Sequence, residues 1–326
     1  MLASKVEKHE QGFENSLKDT NGTKYTISSR DIGGTTVREV DPLGVDDYYY
    51  EGEYKKQGIV IHFTAGYLRG DLAAMVRQGK HVCVPFLSAR SGDTFQIFDP
   101  KHCWGYHLGR GAIGGNTKLS KSTIAIEVSN IGPLELKGTN LHTAYGDKYC
   151  SLAESKYYIK LEKAWRGYQY FAAFTDKQID SLVSLVDHLC DRFDIPRNFL
   201  PEEKRYRVFG SSAEAQKFKG ISTHINYRKS GKWDLGPAFP WDKLVEGIQG
   251  PKLRHPEGIE ATEENTEGIL IDDKGDDPRE TVLPNFDIPD ISGSSYPIAK
   301  NTPKGDTNSG GILGMIMGLI NSVMGR

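Results

Sequence analysis

Apolar positions along this chain follow two periods. In TDKQIDSLVSLVDHLCDRFDIP the residues Ile179, Leu182, Val183, Val186, Leu189 and Cys190 recur at helical spacing and trace one face. Thr175 with Gln178 gives a capping box at its start, and Ile195-Pro196 marks its stop, so the clearest helix is expected between them. DLAAMVRQG predicts a second, shorter helix. Elsewhere the apolar residues run together or alternate. Ile59, Val60 and Ile61 in GIVIHFTAG form a β-branched run closed by Thr-Ala-Gly, which suits a buried strand ending at His62. HVCVPFLSA and DTFQIFD flank Arg90-Ser91-Gly92 as the arms of a hairpin, and STIAIEVSN alternates as another strand, with Glu127 near its end. KYTISSR precedes these as the first convincing structure, ahead of the acidic and aromatic stretch VDDYYYEGEY. Helices interleaved with strands predict an α/β fold, a mixed central sheet flanked by helices.

The pattern stops near Gly250. PEGIEATEENTEG, IDDKGDDPRE and ISGSSYPIAKNTPKGDTNSGG are rich in Pro, Gly, Ser, Asn and acids without periodicity, the composition of a disordered linker. The last stretch, ILGMIMGLINSVMGR, is too short and too broken by glycine for an ordinary transmembrane helix, and is expected to be a short apolar helix that docks on a partner or a membrane surface. The expected organisation is a flexible leader over 1–22, a catalytic body over 23–250, an acidic linker over 251–311 and an apolar segment over 312–326.

Charge sharpens that division. The net charge of the 326-residue chain is −2, but residues 251–311 carry 13 acidic against 6 basic side chains, which leaves residues 1–250 at +4. So weak and unpatterned an excess does not suggest nucleic acid, which is excluded as a partner, and does not oppose approach to an anionic polymer such as a cell wall. The four cysteines, Cys83, Cys103, Cys150 and Cys190, contain no CxxC pair, so they are read as reduced thiols rather than a zinc knuckle or a disulfide framework. The polar, charged start MLASKVEKHEQGFENSLKD has no apolar export core, so the protein is expected to be made in the cytoplasm without a conventional signal peptide.

Nine histidines occur and most are set aside: His9, His142 and His255, for instance, lie in polar segments without companions, and His188 falls within the long helix as a structural or solvated residue. His62, His107 and His224 remain. A catalytic zinc takes three protein ligands from nitrogen or carboxylate oxygen and keeps a fourth position open, a set that His62, His224 and Asp234 can supply. THINYRKSGKWDLGPAFPW, which carries His224 and Asp234, is too irregular for a helix or strand. On its own it has a second reading, in which Asp234 caps its own turn and His224 is an ordinary half-buried side chain.

Five blocks in order, IHFTAG, the glycine-turn hairpin ending QIFD, WGYHLG, SKSTIAIEVSN and THINYRKSGKWDLGPAF, resemble the zinc-dependent N-acetylmuramoyl-L-alanine amidases of type 2. These share their fold with peptidoglycan recognition proteins and amidase-type phage lysozymes. The resemblance spans roughly residues 55 to 248. It implies Zn2+ held by His62, His224 and Asp234, Glu127 as the proton-transferring group, and Lys232 stabilising the oxyanion. Extended alternation puts Lys232 and Asp234 on one side of their loop, in keeping with those roles. His107 is implied either as a substrate contact or as a packed residue behind the ligands. Pro85-Phe86 depart from the family, standing where many relatives carry His-Tyr or a similar polar pair. The segment between Asn130 and Thr175 is longer than in minimal members, and its aromatics, Tyr168 and Tyr170 among them, are read either as a cleft lining or as packing of an insertion.

The implied reaction is hydrolysis of the amide between N-acetylmuramic acid and L-alanine in peptidoglycan. Two other readings compete: a peptidoglycan-binding module that does not cut, and a cytoplasmic cell-wall recycling amidase. The acidic tether and apolar end favour an enzyme delivered to the wall by lysis, or a component or cargo of a phage-like or contractile injection particle, with Ile312 to Arg326 contacting particle or membrane.

Overall fold

The computed structural model describes residues 6–8, 14–15, 17–18, 22, 24–32, 34–229 and 231–250. The expected linker and the apolar segment Ile312 to Arg326 lie outside the described residues.

A seven-stranded mixed sheet organises the body. Its strands are β1 (Tyr25–Ile32), β2 (Thr35–Pro42), β4 (Gly58–Phe63), β5 (Phe86–Ser88), β6 (Thr94–Gln96), β8 (Thr123–Val128) and β14 (Gly220–Thr223), in the order β1-β2-β6-β5-β8-β4-β14. β3 (Tyr50–Glu51) and β7 (Cys103–Trp104) form a small ribbon of their own. The strands expected at GIVIHF, at STIAIEV and in the hairpin about Arg90-Ser91-Gly92 are all present, the hairpin arms being only three residues each. β5, β8, β4 and β14 run parallel, and nearly every residue of these strands is buried. Parallel strands need cover on both faces, which explains their continuous apolar runs.

Alternation assigns the two faces. Ile59, Ile61, Ile124 and Ile126 point to a core shared with the long helix Asp176–Phe193, through Ile179, Leu182, Val186 and Leu189, and with the helix Trp241–Gln249, through Trp241, Leu244 and Ile248. Val60 points the other way, into a second cluster with Leu108, Leu119 and Tyr227. His62 has the parity of Val60, so the histidine faces away from the long helix.

In chain order the helices are α1 (Leu68–Met75), α2 (Asn116–Ser122), α3 (Asp176–Phe193), α4 (Glu202–Arg205), α5 (Ser212–Lys217) and α6 (Trp241–Gln249). DLAAMVRQG is helical only to Met75, and its helix begins earlier than expected, at Leu68. At α3 the Thr175 hydroxyl accepts from the Gln178 amide at 3.1 Å, but the reciprocal half of the expected capping box is missing. The Gln178 side chain instead donates to the carbonyls of Ser88 and Ser129 at 3.2 and 3.1 Å, tying the helix to the ends of β5 and β8. Asp194, in the left-handed region at φ 54°, ends the helix just before Ile195-Pro196.

Residues 133–172 build a second, antiparallel sheet from β9 (Pro133–Lys137), β10 (Asn140–Thr143), β11 (Lys148–Ser151), β12 (Tyr158–Trp165) and β13 (Tyr168–Ala172), in the order β11-β10-β9-β13-β12. It has its own core of Leu134, Leu141, Tyr149, Tyr157 and Tyr170. The few described residues of the expected leader meet the body: Val6 is buried in this second core, Leu17 against Leu68, Leu72 and Phe95, and Glu14 pairs with Arg38 at 3.0 Å. All four cysteines are free thiols. Among the described residues no helix is long and apolar enough to cross a membrane.

Candidate metal centre

Three adjacent parallel strands, β8, β4 and β14, deliver their C-terminal ends to one place. Glu127 and His62 are direct cross-strand partners on β8 and β4. His224 follows β14 immediately, in a 3-10 turn fixed by a capping box between Thr223 and Asn226. Such strand ends are where open α/β sheets gather ligands. Asp234 arrives from a loop whose neighbours anchor it: Leu235 is wholly buried, Trp233 nearly so, and the Asp234 carbonyl accepts from the Ile225 amide at 3.1 Å. Thus the irregular stretch from Thr223 to Trp241 is held at each end of the site.

His62 Nδ1 and His224 Nδ1 are 2.9 Å apart, and Asp234 Oδ2 lies 3.4 and 3.1 Å from them. The three residues are buried, and one ligand atom from each falls within 4.8 Å of the others, the one such group among the described residues. The far side of each imidazole fixes its tautomer. His224 Nε2 is 3.0 Å from the Leu108 carbonyl, which only accepts, so that nitrogen carries the proton. The Thr123 hydroxyl spends its hydrogen on the Leu119 carbonyl at 2.7 Å, so it accepts from His107 Nε2 at 3.0 Å. His107 Nδ1 is then a bare acceptor for His62 Nε2–H at 3.1 Å. Both Nδ1 atoms are left as lone pairs, facing each other and a carboxylate. Lone pairs cannot satisfy one another, and the donor set of two imidazoles and a carboxylate fits a zinc-like cation.

The electrostatics agree. Burial pushes His62 below its ordinary value, against the pull of Asp234, and brings His224 down to about 3, helped by the Lys232 charge. Both rings are therefore neutral near pH 7. For Asp234 burial acts upward, but the adjoining His224 and His62 rings and the charge of Lys232 outweigh it and hold the carboxyl below the usual range. Glu127 is the opposite case: burial first, then the negative charge of Asp234, raises it well above an ordinary glutamate, with Lys232 working the other way. Its Oε2 is buried without a hydrogen-bond partner. Two carboxylates in one site are thus shifted in opposite directions, Asp234 toward the anion and Glu127 toward the protonated acid.

Of the candidate site residues, His62, His224 and Asp234 meet here with Glu127 and His107 beside them, whereas His188 lines a surface groove with Arg30 and Arg192. His107 is buried, with both ring nitrogens taken by His62 and Thr123. Phe86 of the departing Pro85-Phe86 pair packs in the main core. Tyr170 packs within the second sheet, whereas the Tyr168 ring lies 6.1 Å from that of Trp233, beside the loop that carries Asp234. Three residues near the site carry no signal in the sequence: Thr123, Arg166 and Asp71, which joins the ends of β4 and β8 by accepting from Thr64 and Ser129 at 2.9 and 2.8 Å. Their residue types are common, and only the tertiary structure brings them to the site.

A family model described as N-acetylmuramoyl-L-alanine amidase matches residues 53–237. The curated N-acetylmuramoyl-L-alanine amidase AmiD of Escherichia coli (strain K12) is 24% identical over 195 residues, which is 58% of this chain and 51% of that protein. The chain therefore spans about half the length of that relative. Among solved structures, AmiD from E. coli, in complex with anhydro-N-acetylmuramic acid-L-Ala-D-gamma-Glu-L-Lys, is similar at 19% identity and a TM-score of 0.38, over 67% of this chain and 65% of that one. The endolysine N-acetylmuramoyl-L-alanine amidase LysCS from Clostridium intestinale URNW is similar at 14% identity and a TM-score of 0.36, over 65% of this chain and 95% of that one.

Proposed function

This chain belongs to the N-acetylmuramoyl-L-alanine amidase family, and from that premise we propose that it is a zinc-dependent hydrolase of the amide joining N-acetylmuramic acid to L-alanine in peptidoglycan. One observation carries the reading: the bare lone pairs of His62 Nδ1, His224 Nδ1 and Asp234 Oδ2 converge beside the buried Glu127, whose Oε2 has no partner. The first three would hold Zn2+. When bound, the ion polarises the scissile carbonyl and makes water acidic enough to attack near neutral pH.

The chain's own groups do the remaining work. Glu127 takes a proton from the attacking water and returns it to the leaving amine of L-alanine, a double duty that its raised carboxyl suits. Lys232, whose charge acts on His62, His224, Asp234 and Glu127 alike, would stabilise the negative charge that develops on the carbonyl oxygen. The hydrogen-bond chain from Leu119 through Thr123 and His107 keeps His62 in the tautomer that presents Nδ1. With both its nitrogens occupied, His107 supports His62 rather than substrate.

Full-length protein loaded with one equivalent of zinc and incubated with purified sacculi should release stem peptides with free L-alanine amino termini. Glu127→Gln should reduce that release by about 10²- to 10⁴-fold, the usual contribution of a positioned acid-base group. Binding to sacculi without release by the wild type would instead make the chain a peptidoglycan-binding module.

For its setting we propose a wall-degrading enzyme, deployed as a lysin or as a component or cargo of a phage-like or contractile injection particle. The support is the acidic, Pro- and Gly-rich tether ahead of an apolar segment at Ile312 to Arg326. Deleting Ile312 to Arg326 should leave amidase activity in solution intact while abolishing co-sedimentation with particle or membrane. Unchanged co-sedimentation would remove this proposal and leave the amidase reading standing.

A further inference from the structure

The second sheet reaches the candidate metal centre through the turn between β12 and β13. Trp165 pairs with Tyr168, leaving Arg166 and Gly167 as a two-residue connection with φ of 47° and 87°. Positive φ at both positions marks a primed hairpin turn, where Asn-Gly or Asp-Gly is favoured and a long side chain is strained. Arg166 occupies the strained position and points its guanidinium at the loop carrying Lys232 and Asp234. Its Nη1 donates to the Lys232 carbonyl. In return the Trp233 indole N–H donates to the Arg166 carbonyl at 3.3 Å. The guanidinium stacks over Trp165 at 4.8 Å, and the Trp165 ring lies so close to Gly236 that a Cβ there would come within 2.5 Å of it. The Asp234 carbonyl accepts in turn from the amide of Ile225, which follows His224 in the chain.

We propose that Arg166 is a positioning residue for the catalytic loop over 231–236, fixing Lys232 and Asp234 through the Lys232 carbonyl; this rests on the amidase reading given above. Loops are ordinarily the mobile part of a site, and small displacements of a reacting group are costly to rate. Here the loop is clasped residue by residue: Lys232 by its carbonyl, Trp233 by its indole and Gly236 by ring contact. Arg166 ties the inserted sheet to catalysis without touching substrate, so its loss should act on turnover rather than on substrate binding.

The decisive variant is Arg166→Asn in the full-length, zinc-loaded chain. Asparagine suits the first position of a primed turn, so the hairpin should survive with an unchanged or higher melting temperature, while the bond to Lys232 is lost. The expected result is a fall in kcat of about 10- to 100-fold, with KM within about twofold, and amide exchange across 231–236 faster by about tenfold or more. Arg166→Lys, which keeps a donor but not the planar fork, should recover part of both effects. Unchanged exchange in 231–236 overturns the proposal whatever the kinetics show. So does a rise in KM alone, which would make Arg166 a substrate contact. A lower melting temperature with exchange raised throughout the chain would make it a packing residue, again against the proposal. If the wild type proves inactive on sacculi, the amidase reading fails, and the exchange measurement still decides whether Arg166 holds the loop.

Discussion

His107 spends both ring nitrogens inside the protein, on His62 at 3.1 Å and Thr123 at 3.0 Å, and this turns an unremarkable histidine into a control on another one. Replacing it with Phe keeps the ring volume but strands the His62 Nε2–H in a buried site. The expected outcome is a 10- to 100-fold loss of zinc affinity, on the order known for partners behind metal ligands, measured by competition with a chromogenic chelator. Asp71 is a second buried group with a readable consequence. Burial lifts its carboxyl from 3.8 to about 6, although hydroxyls of Ser129 and Thr64 pull it down. Below pH 3.8 the group is protonated in folded and unfolded chains alike, and above pH 6 it is ionised in both. Between these values the folded state holds the proton more tightly, so stability falls as pH rises through the window, by about 3 kcal/mol in all. Asp71→Asn should flatten that slope and raise the melting temperature at pH 7. An unchanged slope in denaturant titrations from pH 3.5 to 6.5 would show that Asp71 ionises freely in the fold.

At the scale of elements, what the sequence revealed was what is local. Strands β4 and β8 and helix α3 announce themselves because each carries its own apolar period, and the glycine turn after Arg90 marks the hairpin. His62, Glu127, His224, Lys232 and Asp234 were legible through ordered blocks, each short enough to be read without the fold. The second sheet was not, because β9 to β13 pair with one another through a core that no single strand displays. Gln178 shows the same limit within one helix: its position three residues after Thr175 signals a capping box, yet burial between two strand ends gives its amide better partners. Thr175 and Gln178 should therefore separate on mutation. Thr175→Ala removes a cap and should cost about 1 kcal/mol. Gln178→Ala leaves the Ser88 and Ser129 carbonyls with one donor fewer each and should cost about 2 to 3 kcal/mol, read as a shift in denaturation midpoint at constant slope. Equal losses in the two variants would mean that Gln178 contributes no more than a cap.

For the molecule as a whole, the candidate donor His62 and the main apolar core lie on opposite faces of the central sheet. The core around Ile59, Ile61, Ile124 and Ile126 is closed by α3 and α6 and contains none of the donor side chains. Removing metal with a chelator should therefore leave the far-ultraviolet circular dichroism at 25 °C unchanged. Melting is another matter, because the donors come from β4, from the turn after β14 and from the loop at Asp234, and a cation bound only to the folded state stabilises it by mass action. At a free zinc concentration a thousandfold above Kd that amounts to about 4 kcal/mol. For a body of this size the melting temperature should rise by roughly 10 °C on adding zinc. The same rise is expected for a chain ending at Gly250, since Ile248 is the last residue of the described core and Asp234 the last donor. Removing α6 as well would strip Trp241, Leu244 and Ile248 from that core, and even Leu244→Ala alone should cost about 2 to 5 kcal/mol. A zinc shift lost on ending the chain at Gly250, with the apo melting temperature unchanged, would place a metal ligand beyond residue 250 and break the assignment of His62, His224 and Asp234 as the complete protein set.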